Sequence, residues 1–186
     1  GTFRCTEEKW NRIFSISRRT AELCMKDTYV DCPGYEQVYW VGDAMITALV
    51  NLTCFGQYRY DQYCIDLTGE RLSDRFYERF RREYELCKNG RYLTMCAYSE
   101  FARGGIPMWS FLWAVQCKNH YLYGGDREEL ARNYSYLQKF EENCRRFLNS
   151  RNLLEIEGTF NLMDWADNDL PSYGEVTSNS AWYAEL

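Results

Sequence analysis

The spacing of helix signals constrains the fold of this chain most strongly: tight, glycine-marked turns alternate with long connections. The clearest turn is "YGGDREEL", residues 123–130, where Gly ends one helix, Asp126 caps the next and acids fill its first turn. So short a link makes the two helices antiparallel neighbours. Apolar spacing predicts a first helix over Thr6–Lys26, through Trp10, Ile13, Phe14, Ile16, Ala21, Leu23 and Cys24. A second begins at Asp43 or nearby and runs to about Phe55, where Gly56 stops it. Further helices are predicted over Leu72–Cys87, Trp109–Tyr123 and Arg127–Asn149, with one more starting near Thr177. Residues 57–70 read as aromatic and irregular, 89–107 as loop or short extended pieces, and 151–175 as loop with a brief extended piece at Leu153–Ile156. Without a strand pattern long enough to build a sheet, the expected class is all-α. In a ring of helical hairpins the tight turns gather at one end and the long loops at the other, which makes the loop end the expected working face.

At 186 residues the chain is long enough for one sizeable core, and residues 1–186 are expected to be a single region. No uninterrupted apolar run approaches the roughly 18 residues of a membrane span, so no membrane segment is predicted. Net charge is −5 with scattered basic residues, and the basic group in "RFRRE" interleaves with Glu as a solvated face; no nucleic-acid partner is expected, because phosphate binding needs a concentrated basic footprint. The 9 Cys form no C-x-x-C pair, which favours buried free thiols over a metal site or a disulfide framework. Free thiols suit a reducing compartment, so the expected location is cytoplasmic. The sequons at Asn51 and Asn133 fall inside expected helices and read as chance, and His120 reads as a partly exposed residue near a helix C-terminus. Aromatics reach 17%, more than a core of this size needs, which places some rings in a cleft or at an interface. "FGQYRYDQYC" either lines such a subsite or packs loop against helix. The two ends of the chain read as those of a segment from a longer protein.

The chemistry-bearing stretch is "VDCPGYEQVYWVGDA", residues 30–44. Pro33 and Gly34 make an abrupt entry, after which Glu36, Trp40 and Asp43 stand at i, i+4 and i+7, so a helical path would put them on one face. Asp31 would sit at the mouth of the turn. Acids held this close repel, which raises at least one pKa and suits a general acid for glycosidic cleavage. The competing reading is that Asp31 and Asp43 cap helices while Glu36 is solvated.

The segment resembles the catalytic signature of the bacterial-type α-L-rhamnosidases, glycoside hydrolase family 78: Asp31-Cys32-Pro33, then Glu36, Trp40 and Gly42-Asp43. "IPMWSFLWAV", "YGGDREEL" and "FNLMDWAD" follow in that family's order and approximate spacing, so the resemblance covers essentially the whole chain. It implies a six-hairpin (α/α)6 barrel of which this chain is about the N-terminal half, and an inverting hydrolysis of terminal α-L-rhamnosyl groups. By position, Glu36 matches the general acid. Asp31 and Asp43 match acids that bond the sugar hydroxyls and tune it. Trp40, Trp109 and Trp165, with Asp164 beside the last, match substrate-binding positions.

The pattern departs from the family at Tyr35, where many members carry Arg. The inverting reaction also needs a second carboxylate about 6.5–9.5 Å from the acid to activate water. In the family that base lies further downstream; Asp164, Asp167, Asp169 and Glu175 are local candidates that read more simply as loop caps and turn formers. The chemistry calls for no metal or organic cofactor, and the sequence signals none. Its expected partners are a rhamnose-containing glycoside and the remainder of its own barrel. Two other readings stand beside the enzyme: a non-catalytic carbohydrate-binding relative with the same barrel, and a helical-repeat scaffold, for which no fixed repeat period is found.

Overall fold

The computed structural model describes residues 1–70, 106–145, 147–155 and 177–185. The helix expected over Leu72–Cys87, most of the connection after it, and the acids at Asp164, Asp167, Asp169 and Glu175 lie outside the described residues.

Among the described residues six α-helices form: α1 Glu8–Cys24, α2 Val41–Val50, α3 Tyr58–Gly69, α4 Pro107–Gly124, α5 Arg127–Arg145 and α6 Thr177–Glu185. A π-helical turn, Asn51–Phe55, extends α2. Among the described residues there is no strand, only the isolated bridges Met25–Tyr29 and Leu148–Leu154, the latter ending within the expected extended piece. No described helix is long and apolar enough to cross a membrane. The expected stops act as read. Gly56 and Gly125 both take left-handed φ, of 68° and 72°, a conformation that carries a steric cost for a residue with a Cβ. Asp126 Oδ1 accepts the backbone N–H groups of Glu128 at 2.8 Å and Glu129 at 3.0 Å, two donors the helix itself cannot satisfy. Pro107 stands in the first turn of α4, where its missing N–H costs nothing.

One expectation fails outright: residues 58–69, read as irregular, form α3. Its buried residues are Asp61, Gln62, Cys64, Ile65, Thr68 and Gly69, mostly polar or small, so apolar periodicity does not reveal the helix. Helix α5 also ends earlier than expected, at Arg145 rather than Asn149, and the Asn149 side chain instead accepts the N–H groups of Arg151 and Leu153 in a turn.

Cross-helix contacts fix the order of the stack. Trp113 Nε1 donates to the Ile65 carbonyl, while His120 and Gln116 reach Asp61, so α3 and α4 run antiparallel. Gly42 in the first turn of α2 meets Trp109 in the first turn of α4, so these two run parallel. The turns at Gly56 and Gly125 therefore lie at one end, and the starts of α2 and α4 at the other. Val41, Ala44, Ala48, Cys64, Ile65, Phe111, Trp113, Cys117, Phe140 and Cys144 form the shared core. Phe140 is fully buried against Phe111 and Trp113, where truncation to Ala removes about 3–5 kcal/mol in cores of this kind.

The described cysteines are free thiols, and Cys24, Cys64, Cys117 and Cys144 are buried. Both sequon asparagines are buried too. Asn51 spans the α2–α3 turn, accepting the Gln57 N–H and donating to its carbonyl, and Asn133 exchanges amide hydrogen bonds with Gln62.

Candidate active site at the loop end

Residues 31–40 do not follow the helical path that the i, i+4, i+7 spacing suggests; α2 starts only at Val41. They form a loop closed at its neck. Asp31 N–H donates to the Val38 carbonyl at 3.0 Å, and Val38 N–H returns a bond to Asp31 Oδ1 at 2.9 Å. Asp31 is thus held as a neck residue, half-buried. Within the loop, Cys32 Sγ accepts the Glu36 N–H, and Lys26 Nζ donates to the Pro33 carbonyl at 3.1 Å and to the Gln37 side chain. Gln37 takes a left-handed φ of 56°, a strained conformation for a residue with a side chain.

The loop still brings the predicted side chains together. Trp40 Nε1 donates to Glu36 Oε2 at 2.6 Å, fixing one oxygen of an otherwise exposed carboxyl. Asp43 lies in the first turn of α2, facing Asp31 and Glu36 closely enough to feel both charges. Its carboxyl is raised above the usual carboxylate range, first by desolvation and then by those two neighbours, against the opposing bond from its own backbone N–H. Asp43 is exposed on its solvent side, so the desolvation comes from the protein wall behind it. Crowding by Asp31 and Glu36 acts at Asp43 in the expected direction, but burial is the larger cause of the shift.

Trp109 arrives from α4. A Cβ at Gly42 would lie 2.6 Å from the Trp109 ring, so the glycine before Asp43 is what lets this indole wedge under the start of α2. Trp109 Nε1 is buried and has no hydrogen-bond partner among the described residues. Asp164 and Trp165 lie outside the described residues. Among the described residues no group of three or more His, Cys, Asp or Glu is arranged to hold a metal ion.

A second cluster, at the turn end, was missed by sequence reasoning. His120, expected to be partly exposed, is 1% exposed. Its Nδ1 lies 2.7 Å from Asp61 Oδ2 and its Nε2 2.8 Å from Glu129 Oε2. Burial alone would lower the imidazole pKa, but hydrogen bonds to both carboxylates outweigh it and raise the value. Asp61, fully buried, also receives Tyr29 Oη at 3.0 Å and Gln116 Nε2 at 2.9 Å on Oδ1. The missed helix α3 carries Asp61, and its polar inner face was the one available sequence signal for this network.

Comparison with known proteins bears on the family of the whole chain. A family model described as the bacterial α-L-rhamnosidase six-hairpin glycosidase domain matches residues 1–185. Among solved structures, a rhamnosidase of glycoside hydrolase family 78 from Bacillus sp. GL1 superposes with a TM-score of 0.79 at 32% identity, covering 100% of this chain and 18% of that one. No curated protein matches.

Proposed function

Since the chain belongs to the bacterial α-L-rhamnosidase six-hairpin glycosidase family, we propose that the protein containing it hydrolyses terminal α-L-rhamnosides with inversion, and that this chain supplies the general-acid side of the site. The observation that carries the assignment is the Trp40 indole N–H held 2.6 Å from Glu36 Oε2, with Asp31 and Asp43 beside it. In this reading the Glu36 carboxyl gives its proton to the leaving glycosidic oxygen as the bond to the anomeric carbon breaks. A water attacks the opposite face of the sugar and loses its proton to a carboxylate outside the described residues. Burial first, and then the charges of Asp31 and Glu36, raise the Asp43 carboxyl, so full ionisation of the three acids is disfavoured there. Asp31 and Asp43 bond sugar hydroxyls, and Trp40 and Trp109, with Trp165, wall the apolar face of the ring.

The chain spans 18% of the length of the rhamnosidase it superposes on. Large apolar side chains stand exposed on its flank, at Trp10, Ile13 and Ile16 of α1 and Ile46 of α2. That exposure supports a partner surface formed by the remainder of the same barrel.

The test is hydrolysis of a chromogenic α-L-rhamnoside by the full-length protein beside its Glu36→Gln variant, with other chromogenic glycosides as controls. Turnover confined to the rhamnoside among the chromogenic glycosides, and reduced about 10²–10⁴-fold in the variant on a rhamnoside whose alkyl leaving group needs protonation, is the expected result. Rhamnose binding without turnover in the unmodified protein would make this a carbohydrate-binding relative instead.

A further inference from the structure

The loop that carries Glu36 is tied down by two tyrosines that flank its neck. Tyr29 and Tyr39 stand just outside the Asp31–Val38 closure, one on each arm, and both are buried. Tyr29 Oη donates to Asp61 Oδ1 at 3.0 Å and accepts Asn51 Nδ2 at 2.6 Å. Tyr39 Oη donates to the Cys64 carbonyl at 2.8 Å and lies 3.3 Å from Thr68 Oγ1. Asp61, Cys64 and Thr68 occupy successive turns along one face of α3, so a single rigid helix receives both hydroxyls. Asp61 cannot drift, because Gln116 and His120 of α4 hold its two oxygens from the other side. The residue after Tyr39 is Trp40, whose indole orients Glu36.

We propose that Tyr29, Tyr39 and Asp61 are positioning residues, which fix the acid-bearing loop to α3 so that Glu36 meets the leaving-group oxygen. The proposal rests on the reading of Glu36 as the general acid. Its chemistry is specific: a carboxyl displaced by even about an ångström from its partner loses much of its capacity to transfer a proton, while sugar binding and nucleophilic attack by water are spared. Removing one hydroxyl leaves the ring in place and loosens only the tie.

The full-length protein and its Tyr29→Phe, Tyr39→Phe and Glu36→Gln variants would be assayed on two substrates. One is dinitrophenyl α-L-rhamnoside, whose leaving group needs little protonation; the other is methyl α-L-rhamnoside, whose leaving group needs it fully. Tyr29→Phe should lower kcat on the methyl glycoside about tenfold, with KM unchanged, and leave kcat on the dinitrophenyl glycoside within about twofold. Tyr39→Phe should show the same selectivity, more weakly, because Thr68 and Cys64 are neutral partners. A purely structural role would instead reduce both substrates equally, in step with the folded fraction measured by thermal unfolding, and that result would overturn the proposal. Glu36→Gln separates the two layers. If it shows no selective loss on the methyl glycoside, the acid assignment fails and takes this proposal with it; if it does and neither tyrosine variant does, the assignment stands and the positioning role fails.

Discussion

The two ends of this helical stack treat the same functional group in opposite ways. At the turn end, Asp61 is fully buried, yet it receives Tyr29, Gln116 and His120, and the imidazole is shared with Glu129. At the loop end, Asp31, Glu36 and Asp43 face each other across a short loop, and the Asp43 carboxyl is raised by desolvation and by the encounter. A buried carboxylate with a full set of donors holds a fold together. In the more exposed cluster each acid takes a single donor, and at Asp43 burial and the neighbouring charges together favour the protonated form. The α3 helix joins the two, carrying the saturated acid on the face that ties down the loop of the unsaturated ones.

Substitutions can break this contrast. Asp61→Ala should be the most costly, destabilising by about 3–5 kcal/mol in denaturant unfolding, because it removes the buried partner of Tyr29 Oη, Gln116 Nε2 and His120 Nδ1 and leaves the imidazole to Glu129 alone. A variant as stable as the parent would mean the turn end is not held by its ion pairs. Next comes pH. The His120 pKa is raised in the folded state, so its stabilising contribution is complete below the unfolded value of about 6.5 and is lost as pH rises through the higher folded value. Unfolding free energy should therefore fall on alkalinisation above about pH 6.5, and His120→Gln should flatten that slope. Asp126→Ala removes the cap on α5 and should lower Tm by less than Asp61→Ala does. Smallest, and of opposite sign, is Asp43→Asn. Relieving repulsion at the loop end should leave stability unchanged or raise it by about a few tenths of a kcal/mol, the discounted value for a solvent-facing charge, while rhamnoside hydrolysis falls. Destabilisation by Asp43→Asn would erase the difference between the ends.

What could be read from the chain alone followed from how far apart the interacting residues stand. Helices α1, α2, α4 and α5 were legible because each announces itself within its own turn: Gly56 and Gly125 as stops, Asp126 as a cap, an apolar stripe between. Asp31, Glu36, Trp40 and Asp43 were legible as a group for the same reason, although their path was not. Pro33 and Gly34 open a true loop, and Trp40 reaches Glu36 without the helix that the spacing suggested. Helix α3 escaped because its inward positions include Asp61, Cys64, Thr68 and Gly69, which serve hydroxyls, an imidazole and the Tyr136 ring. His120 escaped with it, since the partner that explains its burial lies 59 residues earlier. Trp109 joined the site only through resemblance to a family, and its seat on Gly42 supplies the physical reason a glycine precedes Asp43.

The two buried sequon asparagines bear on how such a protein can be made. Oligosaccharyl transfer in a eukaryotic secretory lumen acts on chains before they fold, and it would find Asn51 and Asn133 accessible. A glycan is too large and too polar to enter either seat: one amide closes the α2–α3 turn and the other locks α3 to α5. A chain sent through a yeast or insect secretory route would therefore carry sugar where its interior must close, whereas a bacterial host without that transferase spares both sites. The hydroxyls that complete the two sequons, on Thr53 and Ser135, lie on the exposed side of their helices and bond to carbonyls of the preceding turn, Thr53 also to the neighbouring Cys54 sulfur. Thr53→Ala and Ser135→Ala together would thus hide the chain from glycosylation while leaving both structural amides in place.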